Sequence, residues 1–242
     1  MKVSRRFSLA VQYILDELVP PVVRDSRWFM RLPMRFVVKD ATDDFMTFKD
    51  SVFGMDTESF SALYERTAHV QQLQGETDLN QRCTDEILRS LADGTILEVG
   101  CGRGYLAGLM AAQGHAVTGF DIAVADEVRD RHRAVTFITG NLEALPFPDA
   151  SFDVVVTTHT LEHVQNMSLA ITELRRVARR QLIIVVPRQR PYRYTFSLHT
   201  QFFPYEWSLH SAFGYRKNAV IKRLGDWFYI ETLNTEQSGN TE

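Results

Sequence analysis

Apolar residues recur along this chain in two rhythms. Phe7, Ala10, Val11, Ile14, Leu15 and Leu18 fall at helical spacing, and Pro20-Pro21 ends that pattern. Helical stretches are predicted over 57–70 and 80–91, the second capped by Thr77 or Asp78 with Ile87, Leu88 and Leu91 on its apolar face. From Ile96 the rhythm changes to short apolar runs ended by glycines or polar turns: 96–99, a run after Gly114 that ends on Asp121, 134–138, 151–156 and 182–186. Between them lie helical patterns, and strands that alternate with helices predict a doubly wound α/β sheet. Trp207 to Leu224 reads as a further helical stretch and Trp227 to Leu233 as a last strand. The expected division is a helical cap over 1–90, an α/β domain over 91–233 with an inserted lid at 187–215, and a flexible tail at 234–242.

The first strand runs into Gly100-Cys101-Gly102-Arg103-Gly104, a helix follows, Gly114 stops it, and the second strand ends on Asp121. A strand that turns into a helix within about four residues needs backbone angles that side chains forbid, and a ligand lying on the turn needs Cβ atoms absent. An acid at the end of the second strand is placed to accept hydrogen bonds from ribose hydroxyls. The spacing departs from G-x-G-x-x-G, where helix N-terminal N–H groups meet a pyrophosphate. Glu98 stands just before the first glycine, where a carboxylate repels pyrophosphate and suits a ligand with an ammonium group and no phosphate. S-adenosylmethionine, a sulfonium nucleoside with a zwitterionic tail, has that character.

On these residues the segment resembles the class I S-adenosylmethionine-dependent methyltransferases, in their broad small-molecule branch. Further matches follow in family order: Asn141-Leu142 after the third strand, Leu145-Pro146-Phe147, Ser151 to Val156, Thr160 to Val164 as a helix start, and Leu174 to Val177 before a fifth strand. The resemblance implies a Rossmann-like seven-stranded sheet and S-adenosylmethionine as cofactor. It implies that Glu98, Gly100, Cys101, Gly102 and Gly104 hold the methionine end, Asp121 and Ile122 the ribose, Asn141 and Leu142 the adenine, with Thr158 completing the cofactor set. It also implies that Tyr64 and the 76–80 turn close over the methionine end, although that turn serves equally as a helix cap.

Composition narrows the rest. With 45% hydrophobic and 24% charged residues the chain is an ordinary globular protein, and a net charge of -3 gives no reason to expect a nucleic-acid substrate. Two cysteines, Cys83 and Cys101, build no disulfide framework, so a reducing cytoplasmic location is expected. No run approaches the roughly 18 apolar residues of a membrane span. The basic start at Lys2, Arg5 and Arg6 resembles a secretory leader, but Asp16 and Glu17 end it without a small-residue cleavage site, so a mature helix is expected. Residues 1–39 carry eight basic side chains against three acidic, with Trp28, Phe29, Met30 and Phe36 interleaved. Weak contact with an anionic membrane surface therefore stands beside simple packing of the helix.

After the fifth strand, Arg188, Arg190, Tyr192, Arg193 and Tyr194 leave the carboxyl edge of the sheet, where ligands bind in open α/β folds. Arginine forks suit an anionic acceptor and the rings would wall it; solvated arginines over a small aromatic core explain the tract equally well. Arg188, Arg190, Tyr64, Tyr192 and Tyr194 are the expected substrate residues, and the acceptor is a small molecule methylated on oxygen or nitrogen. Methyl transfer from a sulfonium needs mainly a held, collinear nucleophile. A hydroxyl or amine acceptor would add a base, with His163 and His199 the foremost histidines and His159 a third. Each of them also has a purely structural explanation. His159 and His163 have helical ligand spacing but no third ligand at motif distance, so no metal is expected. Two other classes stay open: an inactive binding or scaffold protein on the same fold, distinguished by failure to turn over the cofactor, and a nicotinamide oxidoreductase, disfavoured by the glycine spacing.

Overall fold

The computed structural model describes residues 14, 18–71 and 77–233. Most of the helical stripe expected over 7–18, Glu76 of the 76–80 turn, and the tail from 234 lie outside the described residues. By compactness the chain forms two units, one running to Asp78 and including Gln189–Phe202, the other comprising Leu79–Arg188 and the chain from Phe203.

The second unit is built on one sheet of β1 (Thr95–Val99), β2 (Ala116–Asp121), β3 (Val135–Thr139), β4 (Phe152–Thr158), β5 (Ala178–Val186), β6 (Ala219–Arg223) and β7 (Trp227–Thr232), in the order β3-β2-β1-β4-β5-β7-β6. Strands β3, β2, β1, β4 and β5 are parallel, and β7 runs antiparallel to both β5 and β6. The order reverses between β1 and β4, so the carboxyl ends of those strands bound the crevice in which such sheets bind ligands.

Residues of alternating parity bury on opposite faces, as a pleated strand requires. Leu97, Val99, Val155, Leu182, Ile184 and Val186 pack with Ala170, Ile171, Leu174 and Val177 of a helix at Met167–Val177. Ile96, Val154, Val156, Ile183 and Val185 pack with Cys83, Ile87, Leu106, Ala107 and Met110, from helices at Gln81–Ser90 and Tyr105–Ala112. These two cores are the physical meaning of the apolar runs read in the sequence.

Three local expectations are corrected. The helix at Gln81–Ser90 is capped by Asn80, whose side chain accepts from the Cys83 N–H, and not by Thr77 or Asp78. Thr160 to Val164 does not begin a helix: Leu161–His163 is a 3-10 turn, and the helix starts at Met167 behind the Asn166 cap. The stretch from Trp207 to Leu224 is helical only over Glu206–Phe213, because Gly214 leaves at φ 75 and the chain returns as edge strand β6.

The first unit is mainly helical in its described part up to Gln71, while Gln189–Phe202 is irregular. It contains α1 (Pro21–Arg24), α2 (Arg27–Val37), α3 (Thr42–Ser51) and α4 (Thr57–Gln71). Met30, Met34, Phe45, Phe48, Val52 and Leu63 bury together with Tyr194 and Leu198 of the returning segment Gln189–Phe202.

Candidate functional site

The glycine loop sits at the carboxyl end of β1, and two of its glycines have distinct reasons. Gly100 adopts φ 76, and a Cβ there would lie 1.9 Å from Thr160 Oγ1, so no larger residue fits without rebuilding the loop after β4. Gly102 adopts φ 50 with nothing within 4 Å of where its Cβ would be, an open face of backbone. The backbone N–H groups of Gly100 and Cys101 both donate to the Phe120 carbonyl, which ties the loop to β2. Cys101 is buried, and burial pushes its thiol pKa up, so it is an inert packing group.

Glu98 is a buried carboxyl of the site. It is 2% exposed, and burial, with the Ala107 backbone N–H opposing it and the nearby Asp121 charge reinforcing it, pushes its pKa up to about 8. Its Oε2 is buried and has no hydrogen-bond partner among the described residues. An acceptor held in that way next to an open glycine loop has the chemistry to receive an ammonium group. Asp121 Oδ2 accepts from Gly102 N–H at 2.7 Å and Oδ1 from Ile122 N–H at 2.7 Å. The Ala123 N–H also reaches this carboxylate, and the acceptor capacity that its oxygens keep is open to a ribose hydroxyl. Burial raises the Asp121 pKa, while the N–H groups of Gly102, Ala123 and Ile122 and the nearby His163 oppose that rise.

Asn141 caps a 3-10 turn at Leu142–Ala144 by accepting from the Glu143 N–H at 2.9 Å, and Leu142 is buried. Glu143 in turn accepts from the N–H groups of Gln165 and Asn166, so the segment after β3 is fastened to the one after β4. Thr158 ends β4, and its carbonyl accepts from Thr160 Oγ1. Glu98, Asp121, Asn141 and Thr158 thus stand at or near the carboxyl ends of four adjacent strands, flanking the reversal in strand order.

Sequence reasoning missed a charge cluster at the same edge. His159 follows β4 at φ 51, with Nδ1 3.4 Å from Glu162 Oε1 and Nε2 3.4 Å from Asp226 Oδ2. Asp226 also accepts from Asn80 Nδ2 at 2.7 Å. Burial disfavours the imidazolium, yet Asp226 and Glu162 outweigh it and raise the His159 pKa to about 10. His159 is therefore protonated at neutral pH with no lone pair to offer, which removes it as a base. The sequence offered His159 only as a third candidate base beside His163, and nothing in it pointed to the distant partner Asp226. His163 ends the 3-10 turn half-buried, its N–H bonded to the Thr160 carbonyl.

The remaining expected residues are distributed as follows. Arg188, in the second unit, and Arg190, in the first, are exposed. Within the first unit Tyr192 and Tyr194 are buried, and the Tyr64 hydroxyl donates to the Leu198 carbonyl at 3.5 Å. The buried Arg24 guanidinium lies 4.9 Å over the Tyr192 ring, and the Lys49 ammonium donates to the Tyr192 carbonyl and sits 4.3 Å over the Phe202 ring. His199 Nδ1 is 2.6 Å from Gln189 Oε1, whose amide Nε2 donates to the Tyr192 hydroxyl at 2.5 Å. Burial lowers the Lys49 pKa to about 8, with Asp25 opposing and Arg24 adding to the fall. Two cations inside this unit were invisible to sequence reading, because neither belongs to a motif.

Residues 97–186 match the family described as "Methyltransferase domain". A probable S-adenosylmethionine-dependent methyltransferase of Mycolicibacterium smegmatis is 41% identical over 104 residues, 42% of this chain and 40% of that protein. A malonyl-[acyl-carrier protein] O-methyltransferase of Erwinia pyrifoliae is 33% identical over 107 residues, 42% of this chain and 41% of that protein. A ubiquinone biosynthesis O-methyltransferase of Nitrosomonas europaea is 31% identical over 136 residues, 52% of this chain and 58% of that protein. The chain thus spans about two fifths of the length of the first two relatives. A solved protein of Pyrococcus horikoshii OT3 shares the fold with a TM-score of 0.51 at 18% identity, covering 66% of this chain and 95% of that one. Residues 97–186 thus match a methyltransferase domain and are similar in sequence to S-adenosylmethionine-dependent methyltransferases.

Proposed function

We propose that this protein transfers a methyl group from S-adenosylmethionine to a small-molecule acceptor on oxygen or nitrogen, with an anionic acceptor favoured. The observation that carries the reading is the unpartnered, buried Glu98 Oε2 at the mouth of a glycine loop whose Gly102 face is open. Once ionised, that carboxylate accepts from an ammonium group and repels a phosphate. In this reading Glu98 holds the amino-acid end of the cofactor, Asp121 its ribose through the remaining lone pairs, and Asn141 with Leu142 its adenine. When bound, the cofactor supplies a methyl group already activated by a positive sulfur.

The chain's own residues then orient the acceptor, exclude water and, for a hydroxyl, receive its proton. His163 is the favoured base in the second unit, since His159 is held protonated by its two carboxylates. O-methyltransferases among the relatives support an oxygen acceptor. Arg188 and Arg190, exposed as the chain leaves β5, support an anionic one. Incubation of the full chain with methyl-labelled cofactor and a metabolite extract tests the reading: label should appear in a low-mass product. Cofactor that binds yet never loses its methyl would favour a binding or scaffold role instead.

A further inference from the structure

Helix α2 is covered on one side only. Met30 and Met34 are fully buried, whereas Trp28, Leu32 and Phe36 are 76%, 62% and 76% exposed. Those three residues are spaced four apart, so they form one row along successive turns, about 12 Å long. Arg27, Arg31 and Arg35 each precede one of them and form a second row about 100° round the helix; all three are exposed, as is Lys39 beyond the helix end. Scattered apolar side chains are ordinary on a protein surface, but large ones in a row beside a basic row are not. Arg31 lies 3.1 Å from Asp43, but Asp43 is 76% exposed, so this is a solvated pair of small strength and the row keeps its positive field.

We infer that this face of α2 docks on an anionic lipid bilayer, lying in the plane of its interface. The two rows call for different environments at the same depth, and a membrane interface offers both. Acyl chains and carbonyls take Trp28, Leu32 and Phe36, while lipid phosphates take the arginines, whose long stems let the guanidinium reach outward. Indole and phenyl groups also favour the headgroup boundary. Val22 on the preceding helix, 81% exposed, adds apolar surface to the same basic stretch. The charge complementarity selects anionic over neutral lipid.

The test is co-sedimentation of the full chain with vesicles of phosphatidylcholine, with and without phosphatidylglycerol. Binding is expected only when phosphatidylglycerol is present, falling with added salt. Replacing Arg27, Arg31 and Arg35 together by Gln should weaken it on the order of a hundredfold, and W28E/F36E should abolish it. Brominated lipid should quench tryptophan emission in the wild type and far less in W28L. Because the altered side chains point to solvent, far-UV circular dichroism should be unchanged. Failure to bind anionic vesicles, equal binding to neutral ones, or undiminished binding by both variants would overturn the inference. So would a dimer in sedimentation velocity that F36E dissociates, which would make a second copy the occupant, or capture of acidic protein with no vesicle binding.

Discussion

Replacing Glu98 by Gln keeps shape and burial while removing one titration. In the wild type the carboxyl titrates near pH 8, so at pH 7 only about a tenth of molecules carry the charge that a ligand ammonium needs. Ionising the rest costs about 1 kcal/mol at pH 7, and the apparent affinity is reduced by the competent fraction. Affinity for S-adenosylhomocysteine, which has the same amino-acid end as the cofactor, should therefore rise about fiftyfold from pH 6 to pH 8 and level off above. Calorimetry at pH 7 in buffers of different ionisation enthalpy should show close to one proton released per ligand bound. The Gln variant should bind with a flat profile and, at pH 8, about tenfold to a hundredfold more weakly, the worth of a hydrogen bond to a charged group. The same shift fixes the sign of the unliganded stability. A native state that holds a proton which the unfolded chain loses above its ordinary pKa of 4.5 is destabilised as pH rises from there to about 8, by at most about 5 kcal/mol. Flat binding in the wild type, or the same slope in the Gln variant, would refute the role given to Glu98.

The His159 cluster has its own pH window. A histidine whose pKa is raised to about 10 contributes stability fully present below pH 6.5 and lost as pH rises through 10, so urea midpoints should fall across that range and fall less in H159Q. Asp226→Ala leaves a buried imidazolium half-paired and should cost about 3 kcal/mol in urea denaturation. Gly100→Ala forces a Cβ into Thr160 at a positive φ; it should lower stability by at least about 1 kcal/mol and abolish S-adenosylhomocysteine binding in calorimetry. Once an acceptor is found, H163A should lower kcat about a hundredfold with ligand affinity unchanged if the acceptor is a hydroxyl, whereas H199A and H163A both at full rate would remove the histidine base.

The parallel part of the sheet was legible because β1, β4 and β5 are buried along most of their length and are written as apolar runs, and β2 and β3 lie between glycine and polar turns. The glycine loop was legible because close backbone turns leave a residue-level mark. β6 was not: as an edge strand with one neighbour it alternates weakly, and apolar Val220, Ile221 and Leu224 continue the spacing of the preceding helix past Gly214. Within the candidate site the loop and Asp121 were visible, while the His159, Glu162, Asp226 and Asn80 cluster joins residues up to 146 positions apart that share no motif. Arg24 and Lys49 escaped for the same reason, since a buried cation looks like any surface one until its partners are placed.

Titration of the purified full chain with S-adenosylhomocysteine most directly tests whether the crevice seats this cofactor. Saturable one-to-one binding with Kd well below about 1 mM, lost in Asp121→Ala, is the expected result. No heat at millimolar ligand, or binding unaffected by that substitution, would contradict it.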